Sequence, residues 1–302
     1  MKDDFLALRL ETFPLQYHSK TLCTIINFQL SKSLLKPEIL ISKTMSIPHY
    51  LNKLLKSRVL VFGGTSGIGF GVASAAIEYG ATTILSSSSE TKIESTIQKF
   101  KASYQNAQVL GFVCDLSNSD SLEANLISIL NYATNDGKDK PNHIVFTAGD
   151  ALPLKPLSEI TPEYIKDAGN VRFIAPLILT KLIPSYVHAS PDSSFTITSG
   201  IIGTKPAPGW SIVAAYSMAS EGLTRGLAVD LSPVRVNCVS PGSVKTELLG
   251  GMPEEALEGM RQRTLTKRMG RVEDIAEVYM YLMKDGFVTG SVVHSNGGGL
   301  LA

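Results

Sequence analysis

The sequence has almost no net charge, few cysteines and no internal linker, and each shortage excludes something. Twenty-eight Lys and Arg against 27 Asp and Glu leave a formal charge of +1, so no basic field exists for a nucleic-acid backbone or an acidic bilayer. Neither nucleic acid nor membrane is expected as a partner. The three cysteines, Cys23, Cys114 and Cys238, are an odd number, widely scattered, without a Cys-x-x-Cys pair and with only five His in the chain. That excludes a disulfide framework and argues against a metal site; they read as small apolar fillers of a reducing, cytoplasmic protein. Long hydrophobic runs are missing too. The most apolar early stretch, Thr21 to Leu35, is broken by Gln29 and Lys32 and is too short and polar to span a bilayer. The Lys2-Asp3-Asp4 start and the absence of a small-residue cleavage site argue against a secretory signal.

What is present falls into two parts. Residues 1–44 mix Phe, Leu and Ile with scattered Lys in no assignable period and end before a second methionine, Met45; they read as a poorly ordered extension. Residues 45–302 read as one domain, since no Pro/Gly/Ser-rich stretch divides them and no repeat recurs. Within it, short β-branched apolar runs alternate with helical segments: Val59 to Phe62, Thr83 to Leu85, Val109 to Cys114, His143 to Phe146, Ser194 to Thr198, Arg235 to Val239 and Val292 to His294. Most are nearly continuous in apolar character, as strands buried on both faces are. About seven strands with helical crossovers predict an α/β fold, a single Rossmann-type doubly wound parallel sheet flanked by helices.

The first strand runs directly into Gly63-Gly64-Thr65-Ser66-Gly67-Ile68-Gly69, followed by a helical stretch from Val72 to Tyr79. Glycines are needed where a backbone turns sharply and approaches a pyrophosphate, whose charge is met by amide N–H groups at a helix start. The turn therefore predicts a dinucleotide site. The second strand ends in Ser86-Ser87-Ser88-Ser89, where an NAD-binding protein usually places an acid on the ribose 2′-hydroxyl. Small hydroxyls such as Ser87 and Ser88 tolerate a 2′-phosphate, which favours NADP. A solvated Ser-rich turn explains the serines equally well, though not the missing acid.

The Gly-x-x-x-Gly-x-Gly spacing, the run Glu221 to Leu231, and Val234 to Gly242 together resemble the short-chain dehydrogenase/reductase family. The resemblance extends over about residues 57–302 and implies more of the cofactor site. Asp115 stands where the family contacts the adenine. Thr147-Ala148-Gly149 replaces the family's Asn-Ala-Gly along the cofactor. In Pro241-Gly242-Ser243-Val244-Lys245-Thr246, the Val244 backbone and the Thr246 hydroxyl would hold the nicotinamide carboxamide. The family also implies a homo-oligomer, and the apolar stretch Ala175 to Ile183 is a candidate face.

The proton machinery departs from the family. Its Tyr-x-x-x-Lys motif places the Tyr eleven residues before the Thr of a Thr-Arg pair; counting back from Thr224 gives Val213, and four residues on gives Ser217. Tyr216 stands three residues late, with Ser220 at the matching lysine position. The gapless register is preferred, because a three-residue deletion inside a packed helix would rotate its buried face by most of a turn. The catalytic serine survives as Ser199. Arg172 takes the place of the family's helix Asn, bringing a permanent cation. It either pairs with a buried carboxylate or a cofactor phosphate, or it stabilises or steers negative charge on the substrate. Trp210 and Tyr216, each three residues from Val213, are either packing residues or an aromatic substrate wall with a displaced acid.

Hydride transfer to a neutral ketone creates an alkoxide that needs a proton, and general acid help is worth about 10²- to 10⁴-fold. An iminium ion needs no proton on reduction. The wording of Ala214 to Leu249 resembles atypical fungal secondary-metabolite reductases, and the resemblance together with this chemistry implies an NADPH-dependent reduction of a small-molecule iminium or activated carbonyl. The alternatives are a non-redox cyclase or isomerase on the same scaffold, alone or combined with reduction, and a silent nucleotide-binding protein.

Overall fold

The computed structural model describes Tyr50, residues 52–152 and residues 154–302. The segment 1–44, with Cys23 inside it, lies outside the described residues. From residue 58 the chain alternates strand and helix. The order is β1 (Arg58–Phe62), α1 (Gly67–Glu78), β2 (Thr82–Ser87), α2 (Glu90–Ser103), β3 (Val109–Val113), α3 (Leu122–Ala133), β4 (His143–Phe146), α4 (Pro162–Gly169) and α5 (Ala175–Tyr186). It continues with β5 (Ser194–Thr198), α6 (Ser211–Asp230), β6 (Arg235–Pro241), α7 (Glu254–Gln262), α8 (Val272–Lys284) and β7 (Val292–Ser295).

The seven strands form one sheet in the order β3-β2-β1-β4-β5-β6-β7, and every neighbouring pair is parallel. Parallel neighbours require crossovers, and the helices supply them on both faces. The strand pattern shows how. Leu60 and Phe62 of β1 point to one face, where they join Ile144, Phe146, Phe195 and residues of α3 and α5. Val59 and Val61 point to the other, against Val145, Val239, α1 and α8. Each fully buried apolar side chain is worth roughly 1.5–3 kcal/mol, so a polar residue at any of these positions would cost the sheet at least that much of its hold on the covering helices. Strand order reverses between β1 and β4, which opens a crevice at their carboxyl ends.

Two expectations shift. The helix after the glycine turn begins at Gly67, not Val72, because glycines that look like loop supply the first helical amides. Burial on both faces holds for the inner strands but not for β3 and β7, the outermost members of the sheet. The stretch Ala175 to Ile183 divides as well. Ala175, Leu179 and Ile183 recur at helical spacing into the core, leaving Leu177 as its exposed apolar residue. His143 is buried and hydrogen-bonded: its Nδ1 lies 2.9 Å from Ser194 Oγ across β4 and β5. Burial, helped by the Arg235 charge, pushes its pKa down to about 3. Cys114 and Cys238 are buried and free.

Candidate active site

β1 delivers the chain into the glycine turn at the point where strand order reverses. Gly63 has φ +78°, and a Cβ there would fall 2.8 Å from the Ala148 backbone. Only glycine lets the turn lie against the end of β4. At Gly69 a Cβ would run into the Gly63 carbonyl and the Thr147 hydroxyl, and Thr147 itself donates to the Phe62 carbonyl at 2.8 Å. The first amides of α1 are thereby pinned facing the crevice. One already meets an anion: Gly67 N–H donates to Glu247 Oε2 at 3.0 Å. Such a turn fits a pyrophosphate by shape and by donor chemistry.

A cleft of about 1180 Å³ opens beside this turn. It brings together Gly63, Ser66, Gly67, Ile68, Gly69, Gly149, Arg172, Ser199, Tyr216, Val244 and Thr246. Apolar side chains of Ile201, Ile202, Trp210, Leu248, Leu249 and Met252 also line it. Thr65, Ser87, Ser88 and Asp115 are not among its lining residues. They stand beyond it, in the turn and at the carboxyl ends of β2 and β3. There Ser87 Oγ accepts from Ser89 N–H at 3.3 Å, and Ser89 caps α2 by accepting from Lys92 N–H. The backbone N–H and hydroxyl of Ser117 both donate to Asp115, which holds its carboxyl below the usual range.

Arg172 is presented by a single π-helical turn, Asn170–Ile174, between α4 and α5, the kind of bulge that displaces a side chain from a regular helix face. Its Nε donates to Asp150 Oδ1 at 3.2 Å and its Nη2 to the Asp150 carbonyl. The guanidinium lies over Gly149, where a Cβ would sit 2.6 Å from Nη1. Burial lowers its pKa and Asp150 opposes that; the group remains a cation. Its carboxylate partner is part-exposed Asp150, at 42%, not a buried acid.

α6 runs unbroken for 20 residues, and Trp210, Val213, Tyr216, Ser217 and Ser220 all line the cleft. Ser217, four residues after Val213, donates to the Val213 carbonyl at 2.9 Å. Tyr216 is tied to α4: its hydroxyl donates to the Ile165 carbonyl at 2.8 Å, and a Cβ on Gly169 would enter its ring. Its ring tilts against Phe173 at 5.6 Å. Burial raises its pKa.

Ser199, just past β5, donates through its hydroxyl to Glu221 Oε1 at 2.9 Å. Glu221 is only 5% exposed. Next to it the Cys238 thiol is pushed up to about 11, first by burial and further by the Glu221 charge. Lys205 Nζ reaches the carbonyls of Gly299 and Ala302, holding the last residues against the cleft. Asp150, Lys205, Glu221 and Glu247 were not singled out from the sequence. Asp150 follows directly on Thr147-Ala148-Gly149 and was the one open to detection.

Comparison with known proteins agrees with this fold. A family model described as an SDR-like Rossmann domain matches residues 50–302. The short-chain dehydrogenase/reductase malC of Malbranchea aurantiaca is 44% identical over 250 residues, covering 80% of this chain and 94% of malC. The short-chain dehydrogenase/reductase fsr5 of Gibberella fujikuroi is 42% identical, over 85% of this chain and 99% of fsr5. The solved structure of the MalC reductase/Diels-Alderase superposes with a TM-score of 0.80 at 43% identity, covering 84% of this chain and all of MalC. With a glycine turn at the strand-order reversal, a serine at the end of β5 and these relatives along four-fifths of its length, the chain belongs to the short-chain dehydrogenase/reductase family.

Proposed function

We propose that this chain is an NADPH-dependent reductase of a fungal secondary-metabolite pathway, acting on an iminium or an activated conjugated carbonyl. The observation that carries the reading is α6 itself. In the gapless register, which an unbroken helix accommodates, Val213 and Ser217, both in the cleft wall, take the positions of the family's Tyr and Lys. A ketone would lack its proton donor there. A bound nicotinamide supplies a hydride; added to an iminium carbon it yields a neutral amine and the oxidised cofactor, with charge balanced and no proton transferred.

The chain's own residues bind and exclude. The Gly63 to Gly69 turn takes the pyrophosphate, and Val244 and Thr246 orient the carboxamide. Ser87 and Ser88 accommodate the 2′-phosphate, while Asp115 and Thr65 flank the adenosine side. Trp210, Ile201, Leu248 and Met252 keep water from the reacting carbon. Asp150 takes two of the N–H groups of Arg172; the rest are free to hold a carbonyl or carboxylate remote from that carbon.

A second reading has its own support. MalC is described as both a reductase and a Diels-Alderase, and 1180 Å³ exceeds the roughly 300–1,000 Å³ of an ordinary single-ligand pocket. The cleft is large enough to fold a bulky intermediate beside a cofactor. Incubating the protein with NADPH and extracts of its host lacking this gene tests both. Loss of nicotinamide absorbance with a product one hydrogen richer than an iminium substrate, or two hydrogens richer than a conjugated carbonyl, supports reduction. An isomeric product without oxidation supports cyclisation, and neither outcome leaves a binding protein.

A further inference from the structure

We infer that the Ser199 side of the cleft is an acceptor wall that selects a cationic nitrogen, and that Glu221 is the positioning residue that makes it so. The inference rests on the reading of the cleft as a small-molecule site and deepens it. Each hydroxyl proton on this wall is already committed to the protein. Ser199 donates to Glu221, Tyr216 to Ile165, Ser217 to Val213 and Ser220 to Tyr216. All four residues line the cleft. Toward a ligand their oxygens have only lone pairs left to offer.

The charge behind the wall has the same sign. Glu221 is buried on α6 and takes no part in the ion pairs found among the described residues. Of the cations that line the cleft, Arg172 is offset by Asp150, Lys205 is held at Gly299 and Ala302, and Arg263 also lines a neighbouring pocket with Pro253 and Met260. A buried carboxylate without a cation is costly, and a positively charged ligand against Ser199 supplies the missing partner through one hydroxyl. A neutral carbonyl oxygen in the same place meets lone pairs and a negative field. Glu221 does not itself line the cleft, so it acts by fixing which way the Ser199 hydroxyl points.

The test uses the full chain saturated with NADPH and two probes of one shape, the 2-methyl-3,4-dihydroisoquinolinium cation and neutral 1-tetralone, with affinities read by equilibrium dialysis. The wild type is expected to hold the cation about tenfold or more tighter, as charge-assisted hydrogen bonds are the stronger kind. In Glu221→Gln the amide donates to Ser199, whose hydroxyl then turns to the cleft; the ratio of the two affinities should fall about tenfold, toward the ketone. A merely structural role would weaken both probes together and leave the ratio alone. A wild type that binds the cation no better than the ketone, including one that binds neither, overturns the inference, as does an unchanged ratio in a folded Glu221→Gln. If that variant does not fold, Ser199→Ala replaces it, with loss of the cation preference expected and an unchanged preference fatal. Nicotinamide absorbance in the same samples separates the two proposals: cation bound without oxidation upholds the wall and counts against reduction.

Discussion

The Tyr216 hydroxyl donates to the backbone carbonyl of Ile165 at 2.8 Å, binding α6 to α4 across one edge of the cleft. A tyrosine serving as proton donor must release that proton toward the substrate, and here it is engaged elsewhere. Tyr216→Phe should lower turnover by less than about tenfold, short of the loss of a general acid. It should also cost about 0.5–1.5 kcal/mol in urea unfolding, the usual net worth of one hydrogen bond. Turnover abolished with NADPH binding intact would make Tyr216 the acid after all.

Glu247 places a carboxylate on the Gly67 amide, the first donor a pyrophosphate would meet. The two anions compete for one helix terminus, whose preference for negative charge is worth roughly 0.3–1 kcal/mol. Glu247→Gln should therefore tighten NADPH by about two- to fivefold, more at low salt than at high. Weaker binding in a fluorescence titration would mean that Glu247 organises the turn instead of contesting it.

Ser88 stands just beyond the carboxyl end of β2, between Ser87 and Ser89. If it faces the 2′-phosphate, Ser88→Asp adds a like charge worth about 1 kcal/mol at 4 Å in water, a loss of roughly fivefold for NADPH with NADH unchanged or improved. Parallel titrations of both cofactors check this. Equal losses for the two would remove the 2′-phosphate from Ser88.

Much of the frame was legible because backbone constraints choose residue types. Gly63 and Gly69 had to be glycine, and the buried strands had to be apolar on both faces, so both could be read along the chain. Ser199 was legible as the residue ending a strand. What it does with its proton was not, since Glu221 lies 22 residues away and nothing local marks a carboxylate that α6 turns inward. Glu247 meets Gly67 across 180 residues for the same reason. The serine run shows the opposite limit: Ser89 is spent as a helix cap, so composition overstated what the run offers a cofactor.

His143 gives the stability a sign with pH. Burial pushes its folded-state pKa to about 3, below the unfolded value near 6.5. At intermediate pH the unfolded chain binds the extra proton. Its contribution is therefore complete above about pH 6.5 and is lost progressively as pH falls toward 3. Unfolding free energy in urea should decline between pH 7 and 5, and His143→Asn should be less stable at pH 7 but show a flatter decline. An equal slope in the variant would assign the acid sensitivity to other groups.

Arg172 offers the sharpest test of the proposed active site. The π turn aims it at the cleft, Asp150 fixes its orientation through two N–H groups, and the remaining donors are available to the substrate. Arg172→Ala removes those donors and frees Asp150, so kcat/KM should fall by more than the Tyr216→Phe loss, toward the 10²- to 10³-fold typical of deleting a preorganised donor. Arg172→Lys should not restore it, because a point charge cannot keep both Asp150 contacts and still reach the substrate. NADPH affinity separates the alternatives: it should stay within about threefold of wild type. A large rise in the NADPH Kd with kcat preserved would place Arg172 on the cofactor phosphate instead of the substrate.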